Sequence, residues 1–456
     1  MFKKLKISIH YVTGRSTRAL RRLNASANRH INMQHGFIAR LVWSALATVV
    51  LLAAIYAFHF TDWGHRLELS AFEFLQNRLP STANEELPIV VVDIGKVPGG
   101  KDGATPRARL IEIIDAIVKH RPVAIGIDIN FSPDASGWKV DDDPMFFDYC
   151  LAKKQETGIP IFLAVYETQT EASSTWLGLD RYKQLAAASL VDPNDTRRIP
   201  VWIKAEDSSD KLQTLNAALA KSYKGSSPDP IDFLKGTLES LSTNDFGIER
   251  GEDRMRFGMS LVNYRRHNQI RSETLSTIST KSIDEAGEKF TGKMVLVGDA
   301  TNAQDLFPVV GHGQLAGCYV IASAAYSLAV DPLFEFNLKW RLIFDLLFAG
   351  ILIVGIETAH FIYVKKAPGP RFHRARRIVT VLVACLVFGL SITAILIWHI
   401  VWFDFPAIIA ATFLHTRIEN IISRSWKSKG HKRPRKGVPN EISHSVDNSL
   451  TATEPK

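Results

Sequence analysis

The run Leu41 to Phe58, LVWSALATVVLLAAIYAF, carries no charged residue, and as an α-helix it would reach about 27 Å, close to the hydrocarbon thickness of a bilayer. It constrains the fold more than any other stretch, and it predicts a spanning helix within residues 37–60. A cleaved signal peptide would have a shorter apolar core with a small-residue cleavage site soon after it. Here the run is long and follows a leader, Met1 to Gly36, that holds Lys3, Lys4, Lys6, Arg15, Arg18, Arg21, Arg22 and Arg29 and no acid. An uncleaved anchor with its leader in the cytoplasm is the expectation.

Charge divides the rest of the chain in the same sense. The 456 residues leave room for about two or three domains, or for one large domain with membrane segments. Residues 61–339 hold 39 acids and 30 Lys plus Arg, a balance of minus 9, so the remainder carries plus 18 to reach the net plus 9. An acidic domain outside with basic flanks inside is what that split predicts. Three further apolar runs follow, at 340–364, 378–398 and 405–422. The loop 365–377 between the first two is basic and is assigned to the cytoplasm, as is the tail 423–456. Within that tail, residues 427–436 pack six Lys or Arg, which suits anionic lipid at the inner leaflet better than nucleic acid. The layout is a multi-pass inner-membrane protein with both termini cytoplasmic and residues 61–339 in the periplasm.

The exported part reads as α/β with a mainly parallel sheet. Arg66 to Leu79 has helical spacing and continues from the first span. Leu87 to Ile94, LPIVVVDI, is a β-branched run, and Pro106 opens a helix reaching His120. PVAIGIDINF, a helix at Pro144 to Lys154 and the strand Pro160 to Tyr166 follow. Apolar strands alternating with amphipathic helices predict a sheet covered on both faces. After Glu167 about 80 residues are polar and irregular, a decoration of the sheet. Asp245 to Tyr264 reads as a hairpin with Asp253, Arg254 and Arg256 at or just after its tip. The strand Val295 to Val297 and a small-residue helix at Leu315 to Ala329 complete the core. Cys150, Cys318 and Cys385 are too few for a disulfide framework, and their apolar settings favour buried free thiols over a Cys150 to Cys318 bridge.

The order IVVVDIG, PRARL, GIDINF, DRMR, FTGKMVLVGDATNAQD and LAGCYVIASAAYSL, followed by apolar runs, resembles the second type of CHASE sensor domain over Leu67 to Ala329. That resemblance implies an extracytoplasmic module of bacterial transmembrane receptors, often joined to adenylate cyclases or histidine kinases. It further implies ligand-binding roles for Asp93 and Asp128 after the first two core strands, Arg109 of the Pro-x-x-Arg group at Pro106, Arg256 after the hairpin, and Gly298 and Asp305 after the late strand. The chain departs from the family at Thr105, where tryptophan is usual, and at Ile321, Ala322 and Ser323, where the family tends to carry His-Ala-Asn.

From the residues themselves, Asp93, Asp128, Asp299 and Asp305 follow apolar strands and should lie near the carboxyl edge of a parallel sheet, where ligands bind. Such carboxylates hold a divalent ion, act as acid and base, or cap turns. A single Gly298 without Gly-Lys-Ser or Gly-Lys-Thr excludes a phosphate loop, and no serine stands at a nucleophile elbow. No His/Cys group has zinc spacing, and no cofactor motif is found. Within the second apolar run, Glu357 and His360 share a helical face, as a proton relay or as partners of Ser391 or Thr393. Asp345 is expected to pair with Arg341.

About 30 residues after the last span are too few for a cyclase or kinase domain. The expectation is therefore a non-enzymatic membrane sensor or scaffold that binds a small ligand or protein outside and signals to a separate cytoplasmic partner, with a homo-oligomer compatible. Two alternatives remain at this stage: a metal-dependent periplasmic phosphohydrolase using Asp93, Asp128 and Asp305, and a small transporter subunit using Glu357 and His360.

Overall fold

The computed structural model describes residues 61–78, 86–99, 104–134, 136–166, 175–205, 211–224, 238–242, 255–276, 280–335, isolated positions from 343 to 355, 370–398 and 400–401. The chain runs through α1 (Asp62–Arg78), β1 (Ile89–Asp93), α2 (Arg107–Val118), β2 (Ala124–Asp128), α3 (Asp143–Thr157), β3 (Ile161–Val165), α4 (Asp180–Lys183) and β4 (Ala186–Ala188). It continues with β5 (Arg198–Ala205), β6 (Leu212–Gln213), α5 (Leu215–Lys224), β7 (Leu238–Ser242), β8 (Met255–Leu261), α6 (His267–Ser272), β9 (Leu275–Ser276) and α7 (Thr280–Glu285). The last elements are β10 (Met294–Gly298), β11 (Leu306–Val309), β12 (Gly313–Ala316), α8 (Gly317–Ala329), β13 (Phe334–Glu335), α9 (Pro370–Trp398) and β14 (Ile400–Val401).

Six strands form the expected parallel sheet in the order β4-β3-β2-β10-β1-β9. The β-branched runs go to its centre because both faces there are dry, and each Val or Ile so buried contributes roughly 2 kcal/mol. Successive side chains alternate between the faces. Val90, Val92, Ile125, Ile127, Val295 and Val297 pack with α2, α3 and α7 through Leu110, Ile113, Phe146, Phe147 and Ile283. Ile89, Val91, Ala124, Met294 and Leu296 pack on the other side with α5, α6 and α8 through Leu215, Leu219, Ile270, Ile321 and Ala325.

The element bounds shift slightly from expectation. Pro106 is the N-cap of α2 in extended backbone (ψ 130°), not its first helical residue. Helix α3 runs three residues beyond Lys154, to a left-handed Gly158 whose N–H donates to the Lys154 carbonyl at 2.9 Å. Leu315 and Ala316 belong to β12, so the last core helix begins at Gly317.

The stretch after Glu167 corrects the expectation of irregular decoration. It holds β4, which extends the parallel sheet, and α5, which covers that sheet, with Leu215 and Leu219 both lying over Gly126 of β2. It also supplies most of a second, antiparallel sheet in the order β6-β5-β8-β7. Arg256 lies within β8, just after the connection from its antiparallel partner β7, in register with Lys204 of β5 and Leu241 of β7. A third apolar cluster joins Phe72 of α1 to Ile199, Leu261, Tyr264, Val309, Val320 and Val401.

Cys150 and Cys318 are buried free thiols in clusters on opposite faces of the parallel sheet, and Cys385 is free and exposed. The expected first and fourth spans lie outside the described residues, and α9 covers the third as a helix. Among the residues described in full, no helix is long and apolar enough to cross a membrane.

Candidate functional site

Four residues set the centre of the carboxyl edge of the parallel sheet. Asp93, the last residue of β1, is in register with Gly298 of β10, and Gly298 with Asp128, the last residue of β2. Two carboxylates therefore flank a glycine across three adjacent strands, with Asp299 next along the chain. A Cβ on Gly298 would lie 2.9 Å from the Cβ of Cys318 and 3.4 Å from that of Asp128, so only glycine lets α8 approach the edge so closely.

Each carboxylate has a distinct environment. Asp93 is buried, and its Oδ1 accepts the N–H of Gly95 (2.9 Å) and of Ala300 (3.0 Å), tying together the turns after β1 and β10. Asp299 Oδ1 accepts both the N–H and the hydroxyl of Thr301, each at 2.8 Å. These two do what acids commonly do at turns. Asp128 is also buried, but its Oδ1 accepts side-chain donors, the Ser189 hydroxyl (2.8 Å) and the Tyr166 hydroxyl (3.2 Å). Loss of water outweighs those two hydrogen bonds and raises the Asp128 pKa.

Asp305, on the loop after β10, is pushed up to about 7. Burial is the main cause, the charge of Asp128 adds to it, the Gly317 N–H opposes it, and Asp299 contributes last. The thiol of Cys318 is held well above its usual range by burial and then by Asp128, Asp305, Asp93 and Asp299, so all four carboxyls act on one sulfur at the start of α8. Tyr166 is raised likewise, by burial, Asp128 and Asp305. The edge is thus a partly buried acidic cluster in which Asp305 keeps a proton up to near neutrality, able to donate or accept hydrogen bonds and to receive positive charge. Among the described residues no cation pairs with Asp93, Asp128, Asp299 or Asp305, and no three His, Cys, Asp or Glu are placed to share a metal ion.

The other expected residues stand apart. Arg109 lies on the outer part of α2 and pairs with Glu112 one turn on, not with Asp93 or Asp128. Arg256 belongs to the second sheet. Glu357, His360, Arg254 and Arg341 lie outside the described residues. Tyr166 and Ser189 were missed, although each directly follows a core strand, as Asp299 does. The buried arginine at this end of the sheet is Arg107, whose Nε donates to Asp143 at 2.7 Å beneath the Phe131 ring.

A family model described as the CHASE2 domain, an extracytoplasmic sensor family, matches residues 47–356. No curated protein and no solved structure matches the chain.

Proposed function

The chain belongs to the CHASE2 domain family, and from that premise we propose that it is a membrane-tethered sensor whose carboxyl edge recognises a small ligand or a protein outside the cytoplasm. The reading includes no chemical turnover. The observation that carries it is the convergence of Asp128, Asp305, Tyr166, Ser189 and Cys318 where β2 and β10 meet the first turn of α8. Carboxyls without a cation among the described residues suit a ligand that brings positive charge or hydrogen-bond donors.

Helix α8 supplies a contiguous packed route away from that edge. It begins beside the carboxyls at Cys318, lays Ile321 and Ala325 on the parallel sheet, and buries Val320 and Ala324 with Phe72 and Val401. Phe72 and Val401 stand on the segments that follow the first apolar run and the third. An edge ligand that binds more tightly to one placement of α8 would thereby bias the packing of those segments. In this reading the apolar runs span the inner membrane, both termini are cytoplasmic, and the state passes to a separate cytoplasmic partner.

The test is a thermal-shift comparison on the full chain in detergent, with small protonated amines as probes. Probes that raise the Tm of the wild type should lose that effect in an Asp128→Asn/Asp305→Asn variant. If no probe acts, or the variant responds equally, the edge is not the recognition site.

A further inference from the structure

Tyr264 is one point at which α1 is fastened to the domain. Its backbone N–H donates to Oε1 of Gln76 on α1 at 3.0 Å, and its hydroxyl donates to the Thr196 carbonyl at 2.7 Å. Its own carbonyl accepts the His267 N–H at 3.0 Å and lies 2.9 Å from Nδ1 of the same residue. His312, on the turn between β11 and β12, packs on the His267 ring with centroids 4.0 Å apart, and lies 6.1 Å from the Tyr264 ring. The same turn presses Gly311 (φ 81°) against α1, where a Cβ would come within 2.9 Å of Asn77 Nδ2 and 3.1 Å of Glu73 Cγ. Two imidazoles therefore meet between the two segments that hold α1.

We infer that His267 and His312 form an acid-operated latch, in which neutral rings in tilted contact keep α1 docked and protonation separates α6 from the β11–β12 turn and frees the helix. An imidazolium donates from both nitrogens, and Nε2 of His312 is buried with no hydrogen-bond partner. Charging it would strand that donor, and charging both rings would place two cations in contact. The charged and titratable neighbours do not offset this. From α6, Arg271 adds positive charge beside His267, and Arg266 is bound to Gln269. Arg265 is bound to Asp331, Asp195 is bound to Arg197 and Arg198, and Glu73 on α1 reaches Gly311 with its stem.

The direction of titration agrees. Burial lowers the His267 pKa against the pull of the Tyr264 carbonyl, and burial followed by the His267 charge lowers that of His312 to about 4. Both lie below the ordinary value near 6.5, so the docked form binds fewer protons than the released one. Docking is intact above about pH 6.5 and is lost as the pH falls toward 4. The latch itself does not rest on the membrane-tethered reading.

The test is hydrogen exchange on the full chain in detergent, corrected for intrinsic pH dependence. Between pH 7 and pH 5 the amides of α1 and of residues 309–313 should exchange faster by on the order of tenfold, with the parallel sheet unchanged. A His267→Gln/His312→Gln variant should lose that step. Should the variant not fold, NMR titration of the wild-type imidazoles decides, since both must titrate below 6.5. An absent step, a step that persists in the variant, or either imidazole titrating at or above 6.5 overturns the latch. None of these readouts involves an edge ligand, so the latch and the sensor reading fail separately.

Discussion

Arg107 and Arg109 stand two residues apart on α2 and do different things. Arg109 holds Glu112 at the surface, where such a pair contributes little. Arg107 is 1% exposed and its partner Asp143 0%, so replacing either leaves the other charge buried and uncompensated. Arg107→Met should lower the unfolding free energy by about 3 kcal/mol in urea titrations, and Arg109→Ala by about 0.5 kcal/mol. Sequence reasoning favoured Arg109 because a resemblance assigns a position without saying which way the side chain faces. The acids were legible for a physical reason, since strand ends in a parallel sheet point to one edge. Applying the same rule to the polar residues after β3 and β4 would have added Tyr166 and Ser189. Asp305 gives a second prediction. Its folded pKa, near 7, exceeds the ordinary carboxyl value, so its contribution to stability is fully present below about pH 4 and is lost as the pH rises through 7. The difference in Tm between Asp305→Asn and wild type should therefore shift in favour of the variant from pH 4 to pH 8. Taking the difference matters, because His267 and His312 push the wild-type curve in the opposite sense over pH 4 to 6.5.

Short apolar runs bounded by polar turns made β1, β2, β3 and β10 readable, most plainly the Ile-Val-Val-Val of β1, which few other structures accommodate. The elements after Glu167 were not readable in this way. Strand β5, RIPVWIKA, carries Pro200, which normally argues against an inner strand. The structure accommodates it at an irregularity where the register with β8 shifts between Pro200 and Trp202, and the hydroxyl of Thr214 and the amide of Asn216 donate to its carbonyl. Helix α5, LNAALAKSYK, is short and rich in alanine, and reads as surface until its contacts are seen. Leu219 is fully buried against the parallel sheet. Leu219→Ala should thus cost about 3 kcal/mol in denaturant unfolding, as for a core leucine, whereas a decorating helix would lose under about 1 kcal/mol. The outcome decides whether α5 belongs to the cooperative unit that carries the acid edge.

At the scale of the whole molecule, the sequence separates an acidic middle from basic flanks, and the parallel sheet, the four-stranded antiparallel sheet and the helices that cover them lie in that acidic middle, with α9 and β14 beyond it. The basic leader and tail would then remain on the side of the membrane where positive loops are retained. The structure adds that α1 and β14 enter the same apolar cluster, so the segments flanking two of the apolar runs meet on one side of the domain. Topology is open to a direct measurement, because the native thiols of the domain do not interfere. Cys150 and Cys318 are buried and their pKa values raised, which leaves almost no thiolate to react. With Cys385 changed to Ser, a cysteine introduced at Met145, which is 58% exposed, should react with an impermeant maleimide in intact spheroplasts. A cysteine at Ser428 in the basic tail should react only after permeabilisation. The reverse pattern would put the acid edge inside the cell and remove the basis for an external ligand, since the same carboxyls would then face the cytoplasm and the basic segments would have crossed the membrane against their charge.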